Sequence, residues 1–250
     1  MALIEHTVPA ANEATTQPVA YRDHLRLDAL LPAVRTDSDP YTAIFLVPHQ
    51  GCEVHFDLML TLIREAGDAL AAGDGERAAD MVRPLPSLMS LVIGAFDVLA
   101  KLPVERFERV REAMGTASGI QSAQWRAVEY ACGRRDERHL YTPGFTAEEQ
   151  AMLRQQLAAT SLFDQFTTFA AAADSPSHAA LVREIRTDLV AFGRAVSRWR
   201  IAHVDIAVRL LGDRPGTAGT TGVAYLRAAA ARPIFPGLTT SHHDPEEGRS

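Results

Sequence analysis

Most of the chain repeats apolar residues every three or four positions, the spacing that places them on one face of an α-helix. Alternation of apolar and polar residues, the pattern of a strand, is rare, and Ala, Leu, Arg and Glu dominate. Glycine, proline and capping residues divide the pattern into successive predicted helices at 52–72, 76–82, 87–100, 104–114, 122–132, 146–158, 161–173, 177–211 and 223–231. The sequence therefore predicts an all-α fold, a helical bundle.

The two ends of the chain lack this periodicity. Residues 1–19 and 239–250 are polar, which predicts flexible tails. Residues 20–238 between them are predicted to form a single helical domain. The run 177–211 contains no proline and predicts one long helix, about 50 Å at 1.5 Å per residue, along a wall of the bundle.

Composition excludes several classes of partner. The formal net charge is −6, so no general cationic field attracts nucleic acid. The chain has no uninterrupted apolar run long enough for a membrane span and no basic-then-apolar leader, which predicts a cytoplasmic protein without a membrane partner. Cys52 and Cys132 both fall in predicted helices, so we expect two reduced, packed thiols rather than a disulfide or a cysteine metal site.

A first candidate for chemistry is His49, which follows Pro48 where an apolar segment meets the helix predicted from Cys52. This position suits a side chain presented into a cavity. A structural histidine satisfied by hydrogen bonds is the more common interpretation of such a residue. A metal site shared with Glu53, one turn on, would lack a third ligand nearby in sequence.

A second candidate is the pair Phe107 and Arg111, which are four residues apart and share a helix face. An arginine among apolar neighbours suits a carboxylate that carries a hydrophobic body. A surface arginine lying over its own helix shows the same pattern. The glycine- and serine-containing loop at 115–119 follows directly.

A third candidate combines Trp199 and His203, on one face of the long predicted helix, with the glycine- and threonine-rich segment 216–222. An imidazole beside an aromatic wall can serve as an axial haem ligand, or it can be a core histidine bonded to a carbonyl. Glycines and threonine hydroxyls allow the backbone of the segment to approach a small polar ligand closely.

Taken in order, these segments resemble the tryptophan 2,3-dioxygenase family. The matching pieces are Tyr21 with LRLDALL at 25–31, FLVPHQ at 45–50 with Glu53, Phe107 with Arg111, SGIQS at 118–122 with Arg126 and Glu129, Trp199-Arg200 with His203, Gly216-Thr217 with Gly219, YLR at 225–227, and Phe235-Pro236. They extend from about residue 21 to residue 238, which is nearly the whole chain.

The resemblance implies a b-type haem and a role for each matching residue. His203 would be the axial ligand of the haem iron, with Trp199 and Gly119 beside the cofactor. His49 would lie on the distal side next to the indole nitrogen of an aromatic amino acid. Phe45 and Phe107 would be aromatic walls, Arg111 would bind the carboxylate, Ser118 would line the pocket, and Thr217 would hold the ammonium group. Members of the family are homotetramers whose N-terminal segment reaches a neighbour's active site, so Tyr21 and His24 are expected there in a tetramer or dimer.

The implied activity is oxygenation of the indole ring of L-tryptophan or a close analogue with O₂. The leading hypothesis is 2,3-dioxygenation to N-formylkynurenine. His24, His55 and Ala218 differ from the family pattern around the substrate, which favours an alternative in which one oxygen atom is inserted to give a 2-oxindole, as in divergent members that serve natural-product pathways. A further alternative is a haem-binding sensor without catalysis.

Overall fold

The computed structural model describes residues 20–34, 39–217 and 219–238. Their α-helices are α1 (Tyr21–His24), α2 (Leu27–Val34), α3 (Pro40–Ala71), α4 (Gly75–Val82), α5 (Leu85–Leu99), α6 (Val104–Met114), α7 (Ala123–Ala131), α8 (Ala147–Ala158), α9 (Leu162–Ala171), α10 (Pro176–Leu211) and α11 (Val223–Ala230). Short 3₁₀ turns occur at Gly119–Gln121 and Glu137–Tyr141. Within these ranges there is no strand, which confirms the all-α prediction. The predicted tails 1–19 and 239–250 lie outside the described residues.

The chain divides into two compact units, Met1–Asp37 and Ser38–Ser250. The described part of the first unit consists of α1 and α2, which contain no buried residue. The second unit contains all the other helices and the hydrophobic core. The single domain predicted at 20–238 includes parts of both units and stays a prediction.

The core of the second unit is built on α3, α5 and α10, because α5 packs against both of the long helices. The buried face of α10 contains Ile185, Leu189, Phe192, Val196 and Trp199. These positions are separated by three or four residues, the repeat that keeps side chains on one helix face. His203 continues the same spacing, so α10 directs it to the side that faces the core.

Helix α3 shows the same arrangement, with Cys52, Phe56, Met59 and Ile63 buried at spacings of three and four. Extending this spacing toward the N-terminus of the helix gives first His49 and then Phe45. The two long helices therefore present His49 and His203 toward the interior of the same bundle.

The predicted start of α3 at Cys52 is wrong, because the helix begins at Pro40 and continues through Pro48. The side chain of Asp39 accepts a hydrogen bond from the backbone N–H of Tyr41 at 3.0 Å and caps the first turn. Pro48 lacks a backbone donor and removes one hydrogen bond, a cost that the packing of a 32-residue helix outweighs. His49 thus lies inside a helix rather than at its start.

The other predicted helices are confirmed to within about two residues at each end.

Among the described residues, the stretch Gly75–Leu99 is apolar enough, by length and composition, to cross a membrane. It is interrupted at Arg83 and Pro84, which separate α4 from α5. The buried residues of α5 pack against α3 and α10. We therefore assign the stretch to the core of the bundle.

Candidate active site

A cavity of about 550 Å³ opens between the N-terminal part of α3, α5, α6, α7, the C-terminal part of α10 and the following loop. A volume of this size is typical of small-molecule and cofactor sites. The structure brings these predicted residues together on its lining: Phe45, His49, Phe107, Arg111, Ser118, Gly119, Trp199, His203 and Thr217. Residues from positions 45 to 217 therefore form one site, and their individual roles stay predictions.

His49 has a defined tautomer. Its Nδ1 lies 2.6 Å from the carbonyl oxygen of Phe45, which can only accept, so Nδ1 carries the proton and donates. Burial lowers the pKa of His49 although this hydrogen bond acts in the opposite direction. The imidazole is neutral at pH 7, and Nε2 is left as a hydrogen-bond acceptor.

The aromatic side chains around His49 shape an apolar part of the cavity. The ring of Phe45 lies 4.4 Å from the imidazole of His49, centroid to centroid, and 6.3 Å from the ring of Phe107. The ring centroid of Phe96, on α5, lies 6.1 Å from that of the His49 imidazole and 5.0 Å from that of the His203 imidazole. Sequence analysis missed Phe96, because nothing distinguishes it from the other apolar residues of its core helix.

His203 is also a neutral imidazole. Burial, together with a smaller contribution from His49, lowers its pKa to about 4. Its ring packs edge-on against Phe96. Trp199 lies one helical turn before His203, and the centroids of the two rings are 6.2 Å apart. A neutral imidazole has a lone pair on one ring nitrogen, which is the form that ligates a metal ion.

This low pKa predicts how stability depends on pH. In the unfolded chain a histidine titrates near pH 6.5, so between about pH 6.5 and pH 4 the unfolded state binds a proton that folded His203 does not. The free energy of unfolding of the cofactor-free protein should therefore fall as the pH falls through this window. At pH 5 the contribution of one such group is about 2 kcal/mol.

Denaturant unfolding of wild type and His203→Gln at pH 7 and pH 5 measures this contribution. We expect the wild type to lose up to about 2 kcal/mol more than the variant between the two pH values. The pKa of His139 is also lowered to about 4, mainly by burial, but it contributes equally to both proteins and cancels in the comparison. Equal losses in both proteins would show that His203 is not buried in its neutral form.

Arg111 and Thr217 join the loop after α10 to the end of α6. Arg111 Nη2 donates to the carbonyl oxygen of Pro215 at 3.0 Å, and Thr217 Oγ1 donates to the carbonyl oxygen of Ala117 at 2.6 Å. A guanidinium has five donors, so Arg111 keeps donors for a ligand. The Thr217 oxygen keeps lone pairs that can accept from an ammonium group. The pair can thus bind groups of opposite charge on one ligand.

Ser118 and Gly119 lie in the short segment between α6 and α7. The backbone N–H of Ser118 donates to Gln121 Oε1 at 2.9 Å, and Gln121 Nε2 donates to the carbonyl oxygen of Pro143 at 2.8 Å. These bonds fix the segment against the loop that precedes α8. A Cβ atom on Gly119 would meet no heavy atom within 4 Å, so the glycine leaves space where the segment lines the cavity.

The cavity has a charged wall to which sequence analysis gave no role. Arg126, Glu129, Arg200 and Tyr225 line it. Both Glu129 and Arg200 are almost fully buried, and Arg200 Nη2 donates to Glu129 Oε1 at 2.7 Å. The resemblance had included these residues, but nothing in the sequence shows that positions 129 and 200 are in contact.

Tyr21 and His24 belong to α1 in the first unit, whereas the cavity belongs to the second. Both side chains are exposed, Tyr21 to 75%. Their predicted contribution to a neighbouring subunit's site stays a prediction.

Comparison with known proteins gives one consistent result. The family model described as tryptophan 2,3-dioxygenase matches residues 6–171, which is more than half of the chain. A tryptophan 2,3-dioxygenase of Anaeromyxobacter sp. (strain K) is 32% identical and covers 93% of this chain and 97% of its own length. One of Ruegeria sp. (strain TM1040) is 30% identical, covering 90% of this chain and 92% of its own length. One of Pseudomonas aeruginosa (strain UCBPP-PA14) is 28% identical, covering 89% and 88%.

Proposed function

Since the chain belongs to the tryptophan 2,3-dioxygenase family, we propose that it is a haem-dependent oxygenase that adds both atoms of O₂ to the indole ring of L-tryptophan and forms N-formylkynurenine. The observation that carries the proposal is one cavity that contains two neutral imidazoles, aromatic walls and a cation next to a hydroxyl. Those groups are what an aromatic amino acid and a metal-bearing cofactor require together.

The residues of the cavity fit a haem. His203 offers a neutral imidazole on a long helix, which is the usual way to hold haem iron from one side. Within the described residues, two buried donors at the cavity, Trp199 Nε1 and Arg126 Nε, have no hydrogen-bond partner. Buried donors are normally satisfied, so both support a bound group that carries acceptors. When bound, haem would supply the iron centre at which O₂ is reduced and activated.

The protein's own contribution is to fix the substrate. Arg111 binds the carboxylate and Thr217 accepts from the ammonium group, so both ends of the amino acid backbone are held. Phe45 and Phe107 confine the indole ring between aromatic surfaces. These contacts limit the orientations from which the C2–C3 bond can react.

His49 orients the ring and does not need to remove its proton. Because Nδ1 donates to Phe45, Nε2 can accept a hydrogen bond from the indole N–H. An indole held by this bond keeps C2 and C3 in a constant position relative to the cofactor. The apolar side chains of the cavity exclude water, which strengthens these contacts.

The proposal also covers the oligomeric state, the location in the cell and the roles of Tyr21 and His24. We infer that the protein is a cytoplasmic homo-oligomer, a tetramer or a dimer, in which Tyr21 and His24 reach the site of a neighbouring subunit. The exposure of both side chains and the absence of any buried residue in α1 and α2 support a role in contacts with another subunit.

Single-oxygen insertion remains the second candidate, but the structure adds no specific support to it. Ala218 lies outside the described residues and His24 lies in the first unit. His55 bonds through Nδ1 to the carbonyl oxygen of Gly51 at 2.6 Å and is not among the described residues that line the cavity. We therefore keep dioxygenation as the proposed reaction.

Replacing Arg111 with alanine tests the substrate site. A severed charge-assisted pair with the carboxylate should weaken L-tryptophan binding by roughly 2 to 4 kcal/mol. Substrate-induced changes in the haem absorbance measure the dissociation constant. Arg109→Ala is the matched control, because Arg109 is an exposed residue of the same helix. Unchanged binding in Arg111→Ala would show that another cation holds the carboxylate.

A further inference from the structure

Glu53 places a carboxylate on the face of α3 that lines the cavity. The same face carries Phe45, His49, Cys52 and Phe56, and all five residues belong to the lining. Acidic side chains are rarely found on the inner face of a helix unless a partner satisfies them. The resemblance to the family includes Glu53 but gives it no role.

The protein satisfies only one oxygen of this carboxylate. Ser122 Oγ donates to Glu53 Oε2 at 3.0 Å and accepts from the backbone N–H of Trp125 at 3.1 Å, so the bond fastens the carboxylate to the first turn of α7. In the part of the chain that the structure describes, Glu53 Oε1 has no hydrogen-bond partner and the carboxylate forms no ion pair. One acceptor on the cavity wall is thus left for a ligand.

The charges near Glu53 do not compensate its burial. Burial raises the pKa of Glu53, the hydrogen bond from Ser122 opposes this shift, and the carboxylate of Glu149, which also lines the cavity, adds to it. The arginines of the lining bond to other groups: Arg111 to Pro215, and Arg126 and Arg200 to Glu129. A ligand that donates a hydrogen bond to Glu53 would offset the cost of burying this carboxylate.

Helix α3 places Glu53 next to the expected position of the indole. Phe45, His49 and Glu53 follow one another at intervals of four residues, so they share one helix face with about 5 to 6 Å between neighbouring Cβ atoms. In the proposed function, Phe45 confines the indole ring and His49 accepts from its N–H. Glu53 therefore lies one turn beyond the acceptor of the N–H, on the side away from Phe45.

The missing donor is expected on the substrate rather than on the cofactor. The edge of a haem carries carboxylates and apolar groups, which do not donate hydrogen bonds at neutral pH. The amino acid end of the substrate is assigned to Arg111 and Thr217, and the indole N–H to His49. A donor on the benzene ring of the indole remains, and C6 and C7 are the ring carbons on the same edge as the N–H.

We propose that Glu53 determines substrate specificity: its Oε1 accepts a hydrogen bond from a hydroxyl group at C6 or C7 of the indole, so that the cavity binds a ring-hydroxylated L-tryptophan in preference to L-tryptophan. The inference rests on the proposed function, because the position of the indole is the one that His49 defines there. A site built to bond a substrate hydroxyl discriminates against the analogue without it, because the buried acceptor is then left unpaired. L-Tryptophan remains a substrate, but a more weakly bound one.

The test measures the binding of a panel of amino acids to the haem-loaded protein. The panel contains L-tryptophan, its four forms with one hydroxyl group at C4, C5, C6 or C7, and the 6- and 7-fluoro forms, which have similar size and no donor. Substrate-induced changes in the haem absorbance give each dissociation constant. We expect the 6- or the 7-hydroxy form to bind about 10- to 100-fold more tightly than L-tryptophan, the ratio for one hydrogen bond to a charged group. The 4-hydroxy, 5-hydroxy and fluoro forms should show no such gain.

Variants assign the preference to Glu53. Glu53→Leu should bind the hydroxylated form and L-tryptophan equally, and should bind L-tryptophan at least as tightly as wild type, because no buried acceptor is left unpaired. Glu53→Gln should reduce the preference several-fold, since the amide has a single oxygen, which Ser122 already occupies. Glu53→Gln keeps the size of the side chain and gives an answer even if Glu53→Leu fails to fold. Asp57→Asn, at an exposed position one turn further along α3, is the control and should keep the wild-type preference.

The outcomes separate this inference from the proposed function. If the haem absorbance responds to L-tryptophan but no hydroxylated form binds more tightly, the inference is wrong and the proposed function stands. Equal gains from the fluoro forms, a gain confined to the 4- or 5-hydroxy form, or a preference that survives in both Glu53 variants would also overturn the inference. Binding and oxygenation of a hydroxylated form without any of L-tryptophan would support the inference and contradict the proposed activity. No response to any member of the panel would overturn both.

Discussion

Replacing His203 with alanine is expected to abolish stable haem binding. The imidazole of His203 is the neutral, metal-ready side chain that α10 presents to the cavity, and alanine offers no ligand in its place. Losing a residue that only orients a metal ligand costs about 10- to 100-fold in metal affinity, so losing the ligand itself should cost at least about 100-fold. Titration of the cofactor-free variant with haem b measures this loss through the Soret band.

The matched control is His49→Ala, which removes the other imidazole of the same cavity. This variant should keep the haem and lower or redirect turnover, because His49 is predicted to orient the indole and not to bind the iron. Added imidazole should restore the Soret band of His203→Ala, since the small ligand can enter the space left by the side chain. Intact haem ligation in His203→Ala without imidazole would contradict the axial assignment.

Replacing Glu129 with glutamine is expected to destabilise the whole second unit. The carboxylate is only 2% exposed and is the shared partner of Arg126, Arg134 and Arg200. Removing one partner of a buried ion pair costs about 3 to 5 kcal/mol, because the remaining charges stay buried without compensation. For a chain of this length, that loss lowers Tm by roughly 6 to 20 °C.

Thermal unfolding of the cofactor-free protein measures this change. Glu184→Gln is the control, since Glu184 pairs with Arg83 at 2.9 Å on the exposed surface. Exposed pairs contribute about 0 to 1 kcal/mol, so this variant should unfold close to the wild-type temperature. A Glu129→Gln protein that unfolds within about 1 °C of wild type would show that the arginines do not depend on this carboxylate.

The periodicity of the sequence was sufficient to predict much of the fold and the face of α10 on which His203 lies. The spacing that buries Val196 and Trp199 extends to His203, and a 3.6-residue repeat is visible without a structure. The first turns of α3 could not be predicted in this way. Proline is a strong helix breaker in general, and the sequence pattern does not show that the helix continues through Pro48 to a cap at Asp39.

The charged wall could not be predicted, because its partners are far apart in the chain. Glu129 and Arg200 are 71 residues apart, and Arg126 and Tyr225 are 99 apart. Each arginine has the local pattern of an ordinary helical residue, and nothing in composition shows which carboxylate it meets. The site around Arg111 and Thr217 was accessible only through the resemblance to a family, since the two residues come from segments that only the fold brings together.

The proposed activity is oxygenation of the indole ring of L-tryptophan with both atoms of O₂. The most direct test is to incubate the reduced, haem-loaded protein with L-tryptophan under ¹⁸O₂ and to measure the mass of the product. We expect a ring-opened product that contains two labelled oxygen atoms. A product with one labelled atom would contradict dioxygenation and favour the 2-oxindole alternative, and no labelled product despite a normal haem spectrum would contradict the proposed activity on tryptophan.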